Sequence, residues 1–255
     1  DWGVMNIEEH LTKEFLEKEG KKESLIFRFS DDLFWKNYKK STDQVYSPYR
    51  LSDSSLTGSI YRSQKYLEND IYRMMFTYVM ESRIKQYHSY LYSMPEHMRL
   101  FFASLAWNNF HTISDQNTKY YFNPYTLKLE PISSDQGMFT QLKKNPEILI
   151  KEYNVPLNFR QTFKVFSGSK ERELIFSDSF RNYENIEKYL NQYNEIFPLD
   201  QPKRGDYLRA NISQLNSFKD NIFGAIDSYQ IQQENNFTNE PKPSQIEDFI
   251  SHLHV

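Results

Sequence analysis

The chain has 255 residues, with 31 Lys and Arg against 34 Asp and Glu, a formal net charge of −3, and no cysteine. The missing cysteine excludes disulfides, Cys-ligated zinc, iron–sulfur clusters and a Cys nucleophile together. The near-neutral charge gives no electrostatic footprint for nucleic acid or an anionic membrane, and no apolar run is long enough to span a bilayer. With 19 Tyr and 20 Phe, the core has to be built largely from rings, which bury a large area per side chain.

The chain begins Asp1-Trp2-Gly3-Val4-Met5, with no initiator Met and no signal-peptide pattern. It is expected to start inside a folded region with further sequence upstream, which leaves the compartment open. Gly3–Ile7 reads as a short strand. Glu8–Glu19 reads as a helix with Leu11, Phe15 and Leu16 on one face, stopped by Gly20. Ser24–Phe29 reads as a second strand, and Ser30-Asp31-Asp32 offers N-caps for a short helix through Trp35. The polar stretch 41–58, with Pro48 and Gly58, reads as a long surface loop.

From about Ile60 to Tyr92 the pattern is helical, with Leu67, Ile71, Met74, Met75, Tyr78, Val79 and Ile84 expected in the core. Pro95 opens another helix that carries Met98, Phe101, Phe102 and Leu105. After the polar segment 108–117 comes a hairpin signal. Lys119–Phe122 is a strand run, Asn123-Pro124-Tyr125-Thr126 a turn, and Leu127–Ile132 the returning strand. The rest is mainly helical. Phe180–Tyr193 is one segment. Asp206–Gln230 is the cleanest, with a stripe of Leu208, Ile212, Leu215, Phe218, Ile222, Ile226 and Tyr229 that reads as core-facing. Residues 233–243 read as a linker and Ser244–Leu253 as a short terminal helix. No Walker loop, Gly-x-Ser-x-Gly or His-Glu-x-x-His is present. Ser167-Gly168-Ser169, the nearest approach to a phosphate loop, reads as a turn. Asn211-Ile212-Ser213 matches a glycosylation triplet but falls inside a predicted helix.

The stretch 107–137 carries the chemistry. It holds His111, Asp115, Asn117, the hairpin, and Asp135 in an Asp135-Gln136-Gly137 triplet directly after the second strand. Phosphoryl transfer is chiefly positioning plus charge neutralisation, and hard divalent ions want oxygen ligands. An amide and a carboxylate on either side of a hairpin supply them in protein kinases. Here Asp135 follows Asn117 by 18 residues, with the hairpin between.

Three segments resemble the CotH-type kinases, the family of spore-coat protein H. Gly3-Val4-Met5-Asn6-Ile7-Glu8-Glu9 resembles that family's Gly-x-Tyr-x-x-x-Glu strand. Leu25-Ile26-Phe27-Arg28 resembles its next strand, where a basic residue commonly sits. Asn117-x-x-Tyr120-Tyr121-Phe122-Asn123-Pro124, continuing to Pro131-Ile132-Ser133-Ser134-Asp135, resembles its most specific block, and His111 fits members reading His-x5-Asn. The matching segments lie within residues 1–137. The chain departs from the pattern at Met5, where Tyr is usual, at Arg28, where Lys is usual, and at Gly137, where a second carboxylate is usual.

The resemblance implies an α+β, protein-kinase-like two-lobed fold. A truncated small α/β amino-terminal lobe would occupy 1–58 and a mainly helical catalytic-type lobe 59–232, with linker and terminal helix at 233–255. It implies an enzyme that moves phosphate from ATP to a hydroxyl, on protein Ser or Thr. Asn117 and Asp135 would hold Mg2+ or Mn2+, Arg28 and Glu9 would hold the nucleotide phosphates, Asp115 would be the base, and His111 would orient the loop. The expected partners are a nucleotide and a protein substrate, with no nucleic acid and no membrane span. The alternative is a catalytically degenerate nucleotide-binding or protein-interaction scaffold of the same fold.

Overall fold

The structure is a computed structural model, and it describes residues 13–29, 58–60, 68–84, 91–113, 117–133, 140–152, 157–196 and 204–234. The fold is α+β, mostly helical, with one small antiparallel sheet. The sheet contains β1 (Ile26–Phe29), β2 (Gly58–Ile60), β3 (Lys119–Asn123) and β4 (Lys128–Ile132), in the order β2-β1-β3-β4. β1, from the segment expected to form the smaller lobe, pairs directly with β3, from the segment expected to form the larger one.

The β3–β4 hairpin forms where the turn chemistry puts it. The Asn123 side-chain oxygen accepts from the backbone N–H of Tyr125 and Thr126, an Asx turn that closes the loop locally. Leu127 then takes the left-handed conformation, at φ 56°. Pro131 sits in β4, an edge strand of the described sheet, where its lack of a donor is tolerated.

Alternation gives the sheet two faces. Phe27, Phe29, Tyr120, Phe122 and Leu129 point into the main core. Ile26, Tyr121 and Ile132 point the other way, against Leu16 of helix α1 (Lys13–Lys18). Gly20, at φ 65°, ends that helix as expected.

The main core is centred on α3 (Met94–Ala106), which is buried on most of its circumference, with Met98, Phe101, Phe102 and Leu105 all inaccessible. Around it lie α2 (Asp70–Ile84), α4 (Pro146–Glu152), α5 (Leu157–Phe166), α6 (Lys170–Ser179), α7 (Tyr183–Ile196), α8 (Arg204–Ser217) and α9 (Lys219–Glu234). Rings interlock across these helices. Phe101 meets Phe163 edge-on at 4.7 Å, Phe102 meets Phe176 at 5.0 Å, and Phe176 meets Phe223 at 5.6 Å. Such pairs add about 0.5–1.5 kcal/mol each beyond area burial. Among the described residues, no helix is long and apolar enough to cross a membrane.

Three sequence expectations change. Gly58 does not close a loop and Ile60 does not open a helix, because Gly58–Ile60 pairs with Phe27–Phe29. A three-residue strand shows no alternation of its own and is specified by its partner. On α2, Val79 is buried, but Ile71 and Met74 are 58% and 69% exposed. Met75 and Val79 pack as expected, and Tyr72 and Phe76 join them on the packed face in place of Ile71 and Met74. The expected single helix 206–230 breaks at Phe218 into α8 and α9. Asn216 and Ser217 are weak helix formers, and the Ser217 hydroxyl bonds back to the Ser213 carbonyl. The apolar stripe survives the break, with Leu208, Ile212, Leu215, Ile222 and Ile226 all buried. The expected strand Gly3–Ile7, the caps at 30–32 and the terminal helix 244–253 lie outside the described residues.

Candidate functional site

The antiparallel register sets the geometry. Arg28 on β1 is paired with Lys119 on β3, and Lys119 is paired in turn with Ile132 on β4. The end of β1, the beginning of β3 and the end of β4 therefore share one end of the sheet. Arg28 is exposed and Lys119 half-buried. Both lie on the face opposite the main core, because their neighbours Phe27 and Tyr120 point inward. Asn117, half-buried, precedes Lys119 by two residues.

The approach to this end is pinned from below. After α3 the chain turns through Asn108, at φ 51°, whose amide donates to the Thr140 hydroxyl at 2.9 Å. A 3-10 turn, Phe110–Ile113, follows and carries His111. The Ser104 and Thr112 hydroxyls share a bond of 2.8 Å. Thr118, fully buried, donates to the Thr112 carbonyl at 2.8 Å. From the helical side, the buried amide of Asn211 donates to the carbonyls of Ala106 and Thr140 and accepts from the N–H of Leu142. These groups fix Ala106, Thr140 and Leu142 against one another, with Ile113 and Asn117 flanking 114–116 and Ser133 and Thr140 flanking 134–139. Asn211 is thus a satisfied internal clasp, not an exposed glycosylation acceptor.

Of the residues named from the sequence, Arg28 and Asn117 stand at this end. His111 lies on the 3-10 turn before it, its side chain outside the described residues. Glu9, Asp115 and Asp135 also lie outside the described residues. Among the described residues, no group of three or more His, Asp or Glu is placed to hold a metal ion. Sequence reading passed over Lys119. Its alternation with Tyr120 marks it as outward-facing, but its place beside Arg28 depends on a pairing between segments far apart in the chain.

The opposite end of the sheet is electrostatically closed. Glu130 accepts from both Lys21 and the Asn123 amide. The Lys21 ammonium also lies over the Tyr121 ring at 4.8 Å, and the Tyr121 hydroxyl donates to the Lys22 carbonyl at 2.8 Å. Burial, the Glu130 charge and then Tyr125 push the Tyr121 phenol up to about 12.

Ser167-Gly168-Ser169 is a turn between α5 and α6, with Gly168 at φ 64° and Ser169 capping α6. Its anion is internal. Asp227 accepts from Ser167 at 2.9 Å and from Arg172 at 2.6 Å. Burial alone would raise the Asp227 carboxyl. Its bonds from Arg172 and Ser167, the Arg172 charge and the Gly168 backbone hold it below the usual range.

Two shallow grooves of about 480 and 500 Å³ share Tyr183 and Arg209 between α7 and α8. Arg209 is already engaged there by Glu187, at 3.0 Å from its Nε. No lining residue of either groove belongs to the sheet end; the first groove is lined by Glu184, Glu187 and Lys188 beside Arg209. No family model, curated protein or solved structure matches the chain.

Proposed function

We propose that the chain is a divergent CotH-like kinase that transfers phosphate from ATP to a hydroxyl, on protein Ser or Thr. The observation that supports this reading is that Arg28 and Asn117 stand at one end of the sheet. In the sequence, Asp115 precedes Asn117 by two residues and Asp135 follows Ile132 by three. In this reading the two lobes of a kinase-like fold share the sheet through the β1–β3 pairing.

The donor types fit the chemistry. The Asn117 amide and the Asp135 carboxylate are hard oxygen ligands suited to Mg2+ or Mn2+, and exposed Arg28 suits a phosphate. A bound divalent ion would supply neutralisation of the phosphate charge. Arg28 then binds and orients the phosphates, Asp115 takes the proton of the attacking hydroxyl, and the Thr118 hydroxyl holds the Thr112 carbonyl against the start of β3. Glu9 would pair with Arg28.

Asp135→Ala is expected to abolish transfer of labelled phosphate from ATP to a Ser/Thr-rich protein while leaving the unfolding midpoint unchanged. Equal transfer by wild type and variant would overturn the kinase reading. The second reading, a scaffold that keeps nucleotide binding without chemistry, is favoured by Gly137, which stands where the family pattern has its second carboxylate. It requires Mg-ATP to raise the unfolding midpoint with no transfer at all.

A further inference from the structure

We propose that Asn108 is a positioning residue for the sheet-end site, tying together the chain stretches 108–117 and 133–140, which carry Asn117 and Asp135. The inference deepens the kinase reading and rests on it for the reaction that reports the effect. Helix α3 ends in a tight double turn. The Asn109 N–H donates to the Ser104 carbonyl and the Asn108 N–H to the Leu105 carbonyl, with Asn108 left-handed at φ 51°. Glycine is the usual residue at such a helix end, because it takes that conformation without a side-chain penalty. Asn108 takes it too, and uses the side chain that glycine lacks. Its amide donates to the Thr140 hydroxyl at 2.9 Å and reaches the Gln141 carbonyl at 3.4 Å, 32 and 33 residues further on.

The fold does not need this tie to bring the two stretches together. Asn211, buried on α8, already joins the Ala106 and Thr140 carbonyls and holds the Leu142 N–H. What Asn108 adds is direction. A residue held through its carbonyl alone can swivel about that bond, whereas Thr140 is held through carbonyl and hydroxyl from two different elements. Asn108 is half-buried and Thr140 exposed, so breaking their bond strands no group away from water. The tie therefore acts on geometry more than on stability. In the kinase reading Asn117 and Asp135 ligate one Mg2+, an ion that demands near-octahedral geometry. A small drift between their stretches then weakens metal–nucleotide binding and transfer together.

The test uses the full chain and reads the unfolding midpoint, Mg-ATP affinity and phosphate transfer from labelled ATP on each variant. Asn108→Gly keeps the left-handed helix end and removes only the amide. It is expected to leave the midpoint unchanged and to weaken Mg-ATP binding about tenfold, the loss of one hydrogen bond, with transfer falling too. Thr140→Val removes the hydroxyl from the other side and should give the same loss. The double variant should be no worse than either single, because the two changes break one contact. A helix-end residue without a positioning role would lower the midpoint and leave the affinity of the folded protein alone. Wild-type affinity in Asn108→Gly, while transfer still depends on Asp135, overturns the positioning role and leaves the kinase reading standing. So does a double variant whose loss is the product of the two single losses, or a midpoint that falls along with affinity. Mg-ATP binding that depends on Asn108 without any transfer overturns the kinase reading and leaves the positioning role to the scaffold. No Mg-ATP binding and no transfer by wild type overturns both.

Discussion

The two ends of the four-stranded sheet carry different side chains. At the hairpin-turn end, Glu130 answers both Lys21 and Asn123, and Lys21 and Lys22 lie over the rings of Tyr121 and Tyr125. At the other end, Arg28 and Lys119 stand opposite each other with the same sign. The first end is closed by partners within the sheet and its flanking turn, and the proposed function sets the phosphates at the second, beside Arg28 and Asn117.

The largest effects should come from the ground both ends share. Phe102→Ala removes a fully buried ring packed on Phe176, and chemical denaturation should show a loss of about 3–5 kcal/mol. A loss below 1 kcal/mol would mean that α3 is not the centre of the core. Asn211→Ala comes next. It leaves the Leu142 N–H and the Ala106 and Thr140 carbonyls without their partner, which should cost about 1–3 kcal/mol. If the clasp also positions the sheet end, nucleotide affinity should fall in the same variant. Unchanged affinity would separate the clasp from the site.

Smaller effects sharpen the contrast between the ends. Glu130→Gln should cost no more than about 1 kcal/mol, as expected for a pair near the surface, and should leave ATP binding untouched. The pH response adds two signed expectations. The Tyr121 phenol is raised in the folded state, so its contribution is present below the unfolded value of about 10. That contribution should be lost as pH rises from there through about 12. Tyr121→Phe should resist alkaline unfolding better than wild type. Asp227 is lowered when folded, so its contribution is present above the unfolded carboxylate value of about 3.9. It should disappear as pH falls below that value. The stability gap between wild type and Asp227→Asn should therefore close in acid, and a gap that widens there would contradict the assignment.

Much of this architecture is legible in the residues. Asn123-Pro124 announces the hairpin because its turn chemistry is local. Met98, Phe101, Phe102 and Leu105 announce α3 because their spacing has one solution. On α2 the spacing has two. Ile71, Met74 and Tyr78 compete with Tyr72, Met75, Phe76 and Val79, and only tertiary packing chooses between them. The α8–α9 break is hidden because the apolar stripe runs straight across Phe218. At the sheet end, residue types suggested Arg28 and Asn117, but the place of Lys119 beside Arg28 depends on a long-range register. Buried hydroxyls such as Thr112 and Thr118 look in the sequence like ordinary loop polarity.

The most direct test of the central claim is amide hydrogen exchange of the full chain with and without Mg-ATP. The sheet-end account predicts slowed exchange at Arg28–Phe29 and across Phe110–Lys119, with little change at the turn Asn123–Leu127. Protection confined to Tyr183–Gln192 and Arg204–Ser217, the walls of the α7–α8 grooves, would contradict it, and so would no protection anywhere.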